Sequence, residues 1–344
     1  MRGWIPGFAT DRGRNQKMAE GIKEVDLGTL AKGKRLPFLV DVLVRLVREK
    51  PLGTVGAVIV LLLLLVGIFA DLSWLGLPNI SLAPYGYNDV WVGAKTAPPS
   101  AQFWMGTDNV GRDELSRIIY GARISMFVGL GVSTIGIILN VIIGLVSGFV
   151  GGKTDLIIQR FVDAWMCFPG IFIILTIMGI LGPGVLQMII VLGVLYGITG
   201  SRTIRSAVIS VKQNVYIEAV RSIGCPVWRI MLRHILPNIM APLIIIFTVS
   251  IGGAILVESQ ISFLGYGIPP PFPSWGGMIS QARLDMLSAP WLALWPGLAL
   301  AFVVYGINMF GDALRDLLDP RLRGGLGRYS GTKKKMPKQK AAKK

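Results

Sequence analysis

Residues 214–237, NVYIEAVRSIGCPVWRIMLRHILP, decide how this chain is read, because they are polar and basic yet lie between two long apolar runs. The stretch reads as a helix, a break and a second helix. Asn214 suits the start of the first, where a side-chain oxygen accepts from an orphan amide. Gly224 suits its end, since glycine enters the left-handed conformation without a Cβ penalty. Pro226 fits the first turn of the second helix, where its missing N–H is not needed. Pro237 interrupts the ladder before the next apolar run. Arg221 lies on the first helix, and Arg229 and Arg233 stand four apart on one face of the second. Charges alone at such spacing describe a solvated face. The flanking sequence sharpens the meaning.

Those flanks are hydrocarbon-like. The chain has 344 residues, 52% hydrophobic and only 16% charged, against about 25% charged in a soluble domain. Charge is also segregated, with long runs carrying none. That pattern belongs to an all-α protein that crosses a membrane several times, not to a large buried core. The net charge of +16 does not point to nucleic acid, because no soluble module is present to hold a duplex and the excess lies beside the apolar runs. Cys167 and Cys225 are far apart, and His234 is the only histidine, so no disulfide framework or multi-histidine metal site follows.

Six spans are expected, at about 52–70, 124–150, 164–181, 185–201, 239–257 and 286–311. The 38 uncharged residues from Ala164 to Ser201 are too long for one crossing. Gly182-Pro183-Gly184 is a turn signal that divides them into a hairpin. Residues 71–123 form a sizeable loop with prolines and with Trp74, Trp91 and Trp104 set to rest at the interface. Thirty of the 35 Lys/Arg fall in the two termini and in the segments that share their side, which places both termini and the loop 202–238 in the cytoplasm. Residues 1–50 read as a cytoplasmic tail, with an amphipathic helix near Phe38–Arg48. Residues 51–323 form the membrane domain. The end, 324–344, is a basic tail too polar to fold, with seven lysines from Thr332 on.

Catalytic signatures are missing. Gly151-Gly152-Lys153-Thr154 resembles the close of a phosphate-binding loop, but Ser147 stands where the pattern needs a glycine, and an apolar run precedes it rather than a strand. No Gly-x-Ser-x-Gly or intramembrane carboxylate pair occurs. Asp163 and Glu258 sit at span edges, where anchoring or a salt bridge is the expected role. Gly144 with Gly148, and Gly193 with Gly197, let helices approach closely within a compact bundle.

The order Glu218-Ala219, Gly224, Leu236-Pro237 resembles the "EAA" loop in membrane subunits of ABC importers, with Val220 in place of the usual third alanine. Three more stretches are similar to permeases for dipeptides and oligopeptides, specifically the second permease subunit of such systems. Residues 106–125, GTDNVGRDELSRIIYGARIS, contribute Gly106, Thr107, Asp108, Gly111, Arg112, Asp113, Arg117 and Arg123. Residues 262–276, SFLGYGIPPPFPSWG, contribute Gly265, Pro273, Trp275 and Gly276. Residues 311–323, GDALRDLLDPRLR, contribute Asp312, Asp319, Pro320 and Arg321. Physically, the first stretch reads as an interfacial helix tied by exposed ion pairs, each worth about 0–1 kcal/mol. The second reads as a stiff extended loop from Pro269 to Trp275. In the third, Asp312, Arg315, Asp316 and Asp319 can pair at helical spacing.

The resemblance implies a type I ABC importer permease fold in the inner (plasma) membrane of a prokaryote. Its partners would be a homologous second permease, two ATP-binding subunits, an extracytoplasmic substrate-binding protein and the surrounding lipid. No cofactor is bound by the chain itself; ATP and Mg act through the partner ATPases. In such a protein Glu218, Ala219, Arg221, Gly224, Arg229, Leu236 and Pro237 shape a loop that couples to the ATPase. Peptides are the implied cargo. Nickel chelates or oligosaccharides remain alternatives, as does a membrane scaffold or sensor working through the lysine tail.

Overall fold

The computed structural model describes residues 38–71 and 81–318, with side chains from Leu43 on. The extreme tails, Trp74, Asp319, Pro320 and Arg321 lie outside the described residues. The described residues from Val44 to Leu318 form one compact unit. The helices are α1 Phe38–Glu49, α2 Pro51–Phe69, α3 Glu114–Val150, α4 Gly152–Met166, α5 Gly170–Leu181, α6 Val185–Lys212, α7 Val215–Ser222, α8 Val227–Arg229, α9 Met240–Phe263, α10 Trp275–Ala282 and α11 Trp291–Leu318. A π-helical turn, Ile230–Ile235, and a 3-10 turn, Leu236–Ile239, join α8 to α9. Among the described residues the only β-type pairing outside helices is an isolated bridge between Thr107 and Asp113.

Five helical runs are long and apolar enough to cross a membrane, and the bent pair α4–α5 makes a sixth. The third span therefore differs from the straight helix expected at 164–181. Its two halves meet at 84°, because proline at 169 drives Phe168 out of helical geometry. Alone, α5 with its 12 residues reaches only about 18 Å, short of a hydrocarbon core of about 30 Å.

Two other helices outrun their apolar cores. Helix α3 begins ten residues before Ile124, because Asp113 caps it: its carboxylate accepts from the Ser116 amide at 2.8 Å and hydroxyl at 2.6 Å. Helix α6 continues to Lys212 through what the sequence reads as the start of a loop. Its arginines do not end the helix because α4 supplies carboxylates. Arg205 holds Asp155 by two bonds, 2.7 and 2.5 Å, and Arg202 pairs with Asp163. The expectation of a salt bridge at Asp163 thus holds. For the cap at Asp113, alanine is expected to lower stability by about 1–2 kcal/mol, read as a lower melting temperature of the purified protein in detergent.

The most extensive contact is α3 against α6, and it depends on small residues from both sides. A Cβ on Gly144 would lie 2.8 Å from Ile204, and one on Gly197 would lie 2.5 Å from Leu139. The close approach gives van der Waals packing where lipid removes the usual hydrophobic drive. Helix α2 likewise lies against α11, with Gly56 facing the backbone of Gly306 and Phe310. Along the outside of α2, Leu52, Val55, Val58, Leu61, Leu62 and Leu65 are exposed, an apolar surface suited to lipid or another membrane subunit.

Candidate functional site

At one end of the bundle the segment 214–237 forms a helical elbow. Asn214 occupies the N-cap in extended geometry, but its side chain makes no capping bond; the backbone carbonyl accepts from Ile217 instead. The break at Gly224 is a full Schellman motif: Gly224 N–H donates to Arg221 and Cys225 N–H to Val220, with φ of +79° at the glycine. Pro226 stands one position earlier than expected, as an extended N-cap to α8.

Pro237 does not stop the second helix. Lacking an N–H, it cannot close an α-helical bond to Arg233, and the chain widens to a π-turn before it and tightens to a 3-10 turn across it. Helical winding then continues into α9. The fifth span and the elbow are consequently one mechanical piece.

The elbow has two faces. Ile217, Ile230, Ile235 and Ile239 are buried against Leu145, Phe149, Ile204 and Val208 of α3 and α6, with Leu236 partly buried beside them. The opposite face leaves Val215 80%, Ile223 81% and Trp228 58% exposed, together with Glu218, Ala219 and Pro237. Arg229 lies over the Trp228 ring at 5.5 Å and Arg221 over Phe149 at 5.7 Å. Lys212 donates to the last carbonyls of α3 at Phe149, 2.6 Å, consistent with a cation at a helix C-terminus. Beyond a Cβ placed on Gly224 there is open space.

At the other end, the expected exposed ion pairs of residues 106–123 are buried. Gly106 and Gly111 turn the chain with φ of +83° and +77°. Thr107 accepts from the Ala97 amide at 2.9 Å. Asp108 accepts from the Val110 and Arg112 amides, both at 2.9 Å, and from Arg112 Nε at 2.6 Å. Arg117, 1% exposed, reaches the same carboxylate at 3.8 Å and donates to Tyr87 at 3.2 Å. Arg123 donates to backbone carbonyls of Gly67, at 3.0 Å, and Asp71 rather than to a carboxylate. The loop ahead of α3 curls over its own charges, and such a network is fixed by geometry far more strongly than exposed pairs are.

The proline-rich loop also departs from its reading. It turns rather than extends, and Pro273, Ser274, Trp275 and Gly276 are all buried. Trp275 is 2% exposed, and its indole N–H donates to Ile118 at 3.1 Å. Gly265, with φ of +87°, makes the turn after α9. Beneath the loop, Glu258 is fully buried, not at an edge: Ser262 donates to it at 2.6 Å and Ser259 at 3.3 Å. It holds the end of α9 by hydrogen bonds from serines, where the sequence led to interfacial anchoring or a salt bridge. At the end of α11, Asp316 pairs with Lys50 at 2.5 Å rather than within its own helix, Asp312 is exposed, and Asp319 lies outside the described residues.

Between the two ends lies a cavity of about 660 Å³, lined by α3, α6, α9 and α11. Its polar lining comprises Asn140, Tyr196, Thr199, Thr203, Ser250 and Arg315. None of these was singled out from the sequence as a pathway residue. The signal was present, since Tyr196, Thr199, Gly200 and Thr203 follow i, i+3, i+4, i+7 spacing, one polar stripe along a largely apolar helix.

A multi-pass membrane bundle with a helical elbow at one end and an open groove lined by four of its helices is the class defined by this geometry. The family described as "Binding-protein-dependent transport system inner membrane component" matches residues 140–324. The chain is 38% identical over 276 residues to the dipeptide transport system permease protein DppC of Alkalihalophilus pseudofirmus, 80% of this chain and 88% of that protein. It is 37% identical over 277 residues to the glutathione transport system permease protein GsiD of Escherichia coli O6:K15:H31, 80% of this chain and 89% of that one. In structure it resembles a chain of the MetNI methionine ABC transporter in inward-facing conformations. The TM-score is 0.50 at 16% identity, over 59% of this chain and 96% of that chain. The chain belongs to the family of membrane components of binding-protein-dependent transport systems, and it has the type I ABC importer permease fold.

Proposed function

We propose that the chain forms half of the translocation pathway of an ATP-driven importer for short peptides in a prokaryotic inner membrane. A homologous permease supplies the other half. Two ATP-binding subunits hydrolyse ATP with Mg on the cytoplasmic side, and an extracytoplasmic binding protein delivers cargo to the opposite end. Both termini and the elbow face the cytoplasm. The peptide assignment draws on the dipeptide and glutathione permeases among the relatives.

The observation that carries the reading is the elbow's outward face. Val215, Ile223 and Trp228 stand exposed on the two short helices and the Schellman turn that joins them, and apolar anchors on a preformed helix are what a cleft on another protein grips. Glu218, Ala219 and Gly224 shape that face, and Arg221 and Arg229 rim it with positive charge. Because the elbow winds without a stop into α9, displacement of the docked surface is transmitted to the helix that lines the cavity. ATP binding closes the nucleotide subunits and opens the bundle outward; hydrolysis resets it.

Affinity purification of the tagged chain in mild detergent tests the assembly. A second permease and one or two proteins with phosphate-binding-loop motifs are expected to come with it. Recovery of the chain alone after gentle crosslinking overturns the reading.

A further inference from the structure

Glu114, the first residue of α3, carries a carboxyl that the surrounding network leaves alone. It is 2% exposed, and among the described residues neither a hydrogen-bond donor nor an ion pair reaches its carboxyl. Arg117 stands three residues on, along the same face of the helix, but is turned to other groups. It donates to the Tyr87 carbonyl at 3.2 Å. Its Nε lies 3.8 Å from the Asp108 carboxylate, too far for a hydrogen bond, and that buried nitrogen has no partner elsewhere. Glu114 and Arg117 line one crevice with Met278, Gln281 and Ala282 of α10, Asp285, and Leu292 of α11. Its free volume is about 10 Å³, room for about one water and no larger solute. A proton is what such a crevice can take up.

The charges facing Glu114 explain why it holds that proton. The loop before α3 brings Asp108, Arg112 and Asp113, α3 itself brings Arg117, and the segment after α10 brings Asp285. The lining residues from α10 and α11 are uncharged. Three carboxylates therefore already face two guanidinium groups, and an ionised Glu114 would be a fourth. The residue stands ten positions ahead of the uncharged run that begins at Ile124, outside the hydrocarbon. Burial is the main cause that pushes its carboxyl up to about 8; Arg117 opposes the rise, and Asp108 and Asp113 add to it. A carboxyl raised in the closed seam and ordinary when exposed stabilises the seam fully below about pH 4.5. That contribution declines as pH rises and is gone above about 8.

We propose that Glu114 is a proton-operated latch on the seam between α3 and the α10–α11 segment. Protonated, it leaves Arg117 on Tyr87 and Asp108 and lets the three helices lie close. Ionised, it draws the free Nε of Arg117 to itself, so that Tyr87 loses its donor and the seam loosens. One guanidinium with two arrangements makes the element bistable, and the proton selects between them. The effect spreads beyond the crevice, because the Tyr87 ring stacks on Phe272 of the proline-rich loop at 5.7 Å and meets Tyr120 edge-on at 5.2 Å. Only the direction of sensing rests on the importer reading above: in that orientation this end of the bundle faces outward, and the latch responds to external pH.

The test is amide hydrogen exchange of the full complex, parent against Glu114→Gln, read at matched pH so that the intrinsic pH dependence of exchange cancels. Glutamine keeps the shape of the protonated acid and does not titrate. In segments 85–93 and 275–289 the ratio of parent to variant exchange is expected to rise at least about tenfold between pH 6 and 8 and to level off above that. A ratio that stays constant with pH in either segment overturns the latch. Melting of the two complexes is the second readout: the parent is expected to lose stability relative to the variant over the same range, and parallel curves overturn the latch as well. Uptake of labelled trialanine after reconstitution with the binding protein keeps the two readings apart. A pH-dependent ratio in a complex that takes up no peptide retains the latch and removes the peptide importer, whereas uptake with a constant ratio removes the latch alone. Parent and variant uptake are expected to diverge when the outer pH alone is raised; divergence only with the inner pH overturns external sensing.

Discussion

Replacing Gly224 with arginine is expected to reduce uptake by the assembled transporter at least about 30-fold, while the subunit still inserts and co-purifies. Within the subunit the substitution is tolerable. A Cβ there meets nothing within 4 Å, and the left-handed φ of +79° disfavours an L-residue by only about 1–2 kcal/mol. The buried side of the elbow, Ile217, Ile230 and Ile235, is untouched. Against a partner the outcome differs. The glycine sits at the turn of the exposed face, and a long cation at the centre of a docked surface disrupts packing worth about 2 kcal/mol or more, which is roughly 30-fold. Asparagine, which accepts left-handed geometry well and is short, is expected to be milder. ATP hydrolysis should also lose its stimulation by the loaded binding protein, since the elbow and α9 would no longer follow the ATPase. Full uptake by the Gly224→Arg complex would remove the elbow from the coupling path.

Much of this architecture was legible because hydrocarbon imposes long uncharged runs, and the runs at 52–70 and 239–257 fall largely within α2 and α9. What escaped the sequence were the places where a local signal is overridden by a partner distant in the chain. Arg202 and Arg205 read as the beginning of a loop, yet Asp163 and Asp155 of α4 neutralise them and α6 continues. Pro237 read as a stop, yet neighbouring π and 3-10 turns absorb its missing hydrogen bond. Asp108, Arg112 and Arg117 read as exposed pairs because composition carries no information about burial. Only the fold shows that the loop before α3 closes over them. The elbow was the opposite case. Its cap glycine and helix pair follow from adjacent residues alone, and the Schellman bonds at Gly224 and Cys225 formed as the spacing requires. The cavity lay between these extremes: the stripe on α6 is periodic, but four helices are needed to turn a polar stripe into a container.

Valine in place of Gly276 is expected to be the most damaging single change to the folded subunit, lowering its yield and melting temperature sharply. A Cβ on Gly276 would lie 2.0 Å from the Ser259 carbonyl oxygen and 2.6 Å from its Cα. Those are backbone atoms of α9, so no side-chain rotation relieves the clash, and overpacking of this kind exceeds the usual 1–3 kcal/mol, roughly, for extra methylenes. Displacing Ser259 has a second consequence. Its hydroxyl and that of Ser262 are among the groups that hold the buried Glu258 carboxyl, and a buried carboxyl that loses donors is strongly unfavourable. On the other side, the adjacent Trp275 would be lifted from Ile118 and from Gly121, whose own Cβ would lie 2.7 Å from the indole nitrogen. Trp275→Ala alone is expected to lower stability by about 3–5 kcal/mol, and the two changes should not add because they act on one seam. Phe272→Ala, at a half-exposed position of the same loop where the ring stacks on Tyr87 at 5.7 Å, is the contrast: it should lower stability by only about 0.5–1.5 kcal/mol. A Gly276→Val protein that melts with the parent would mean that α9 and the loop are not seamed as described, and the burial of Glu258 would then need another explanation.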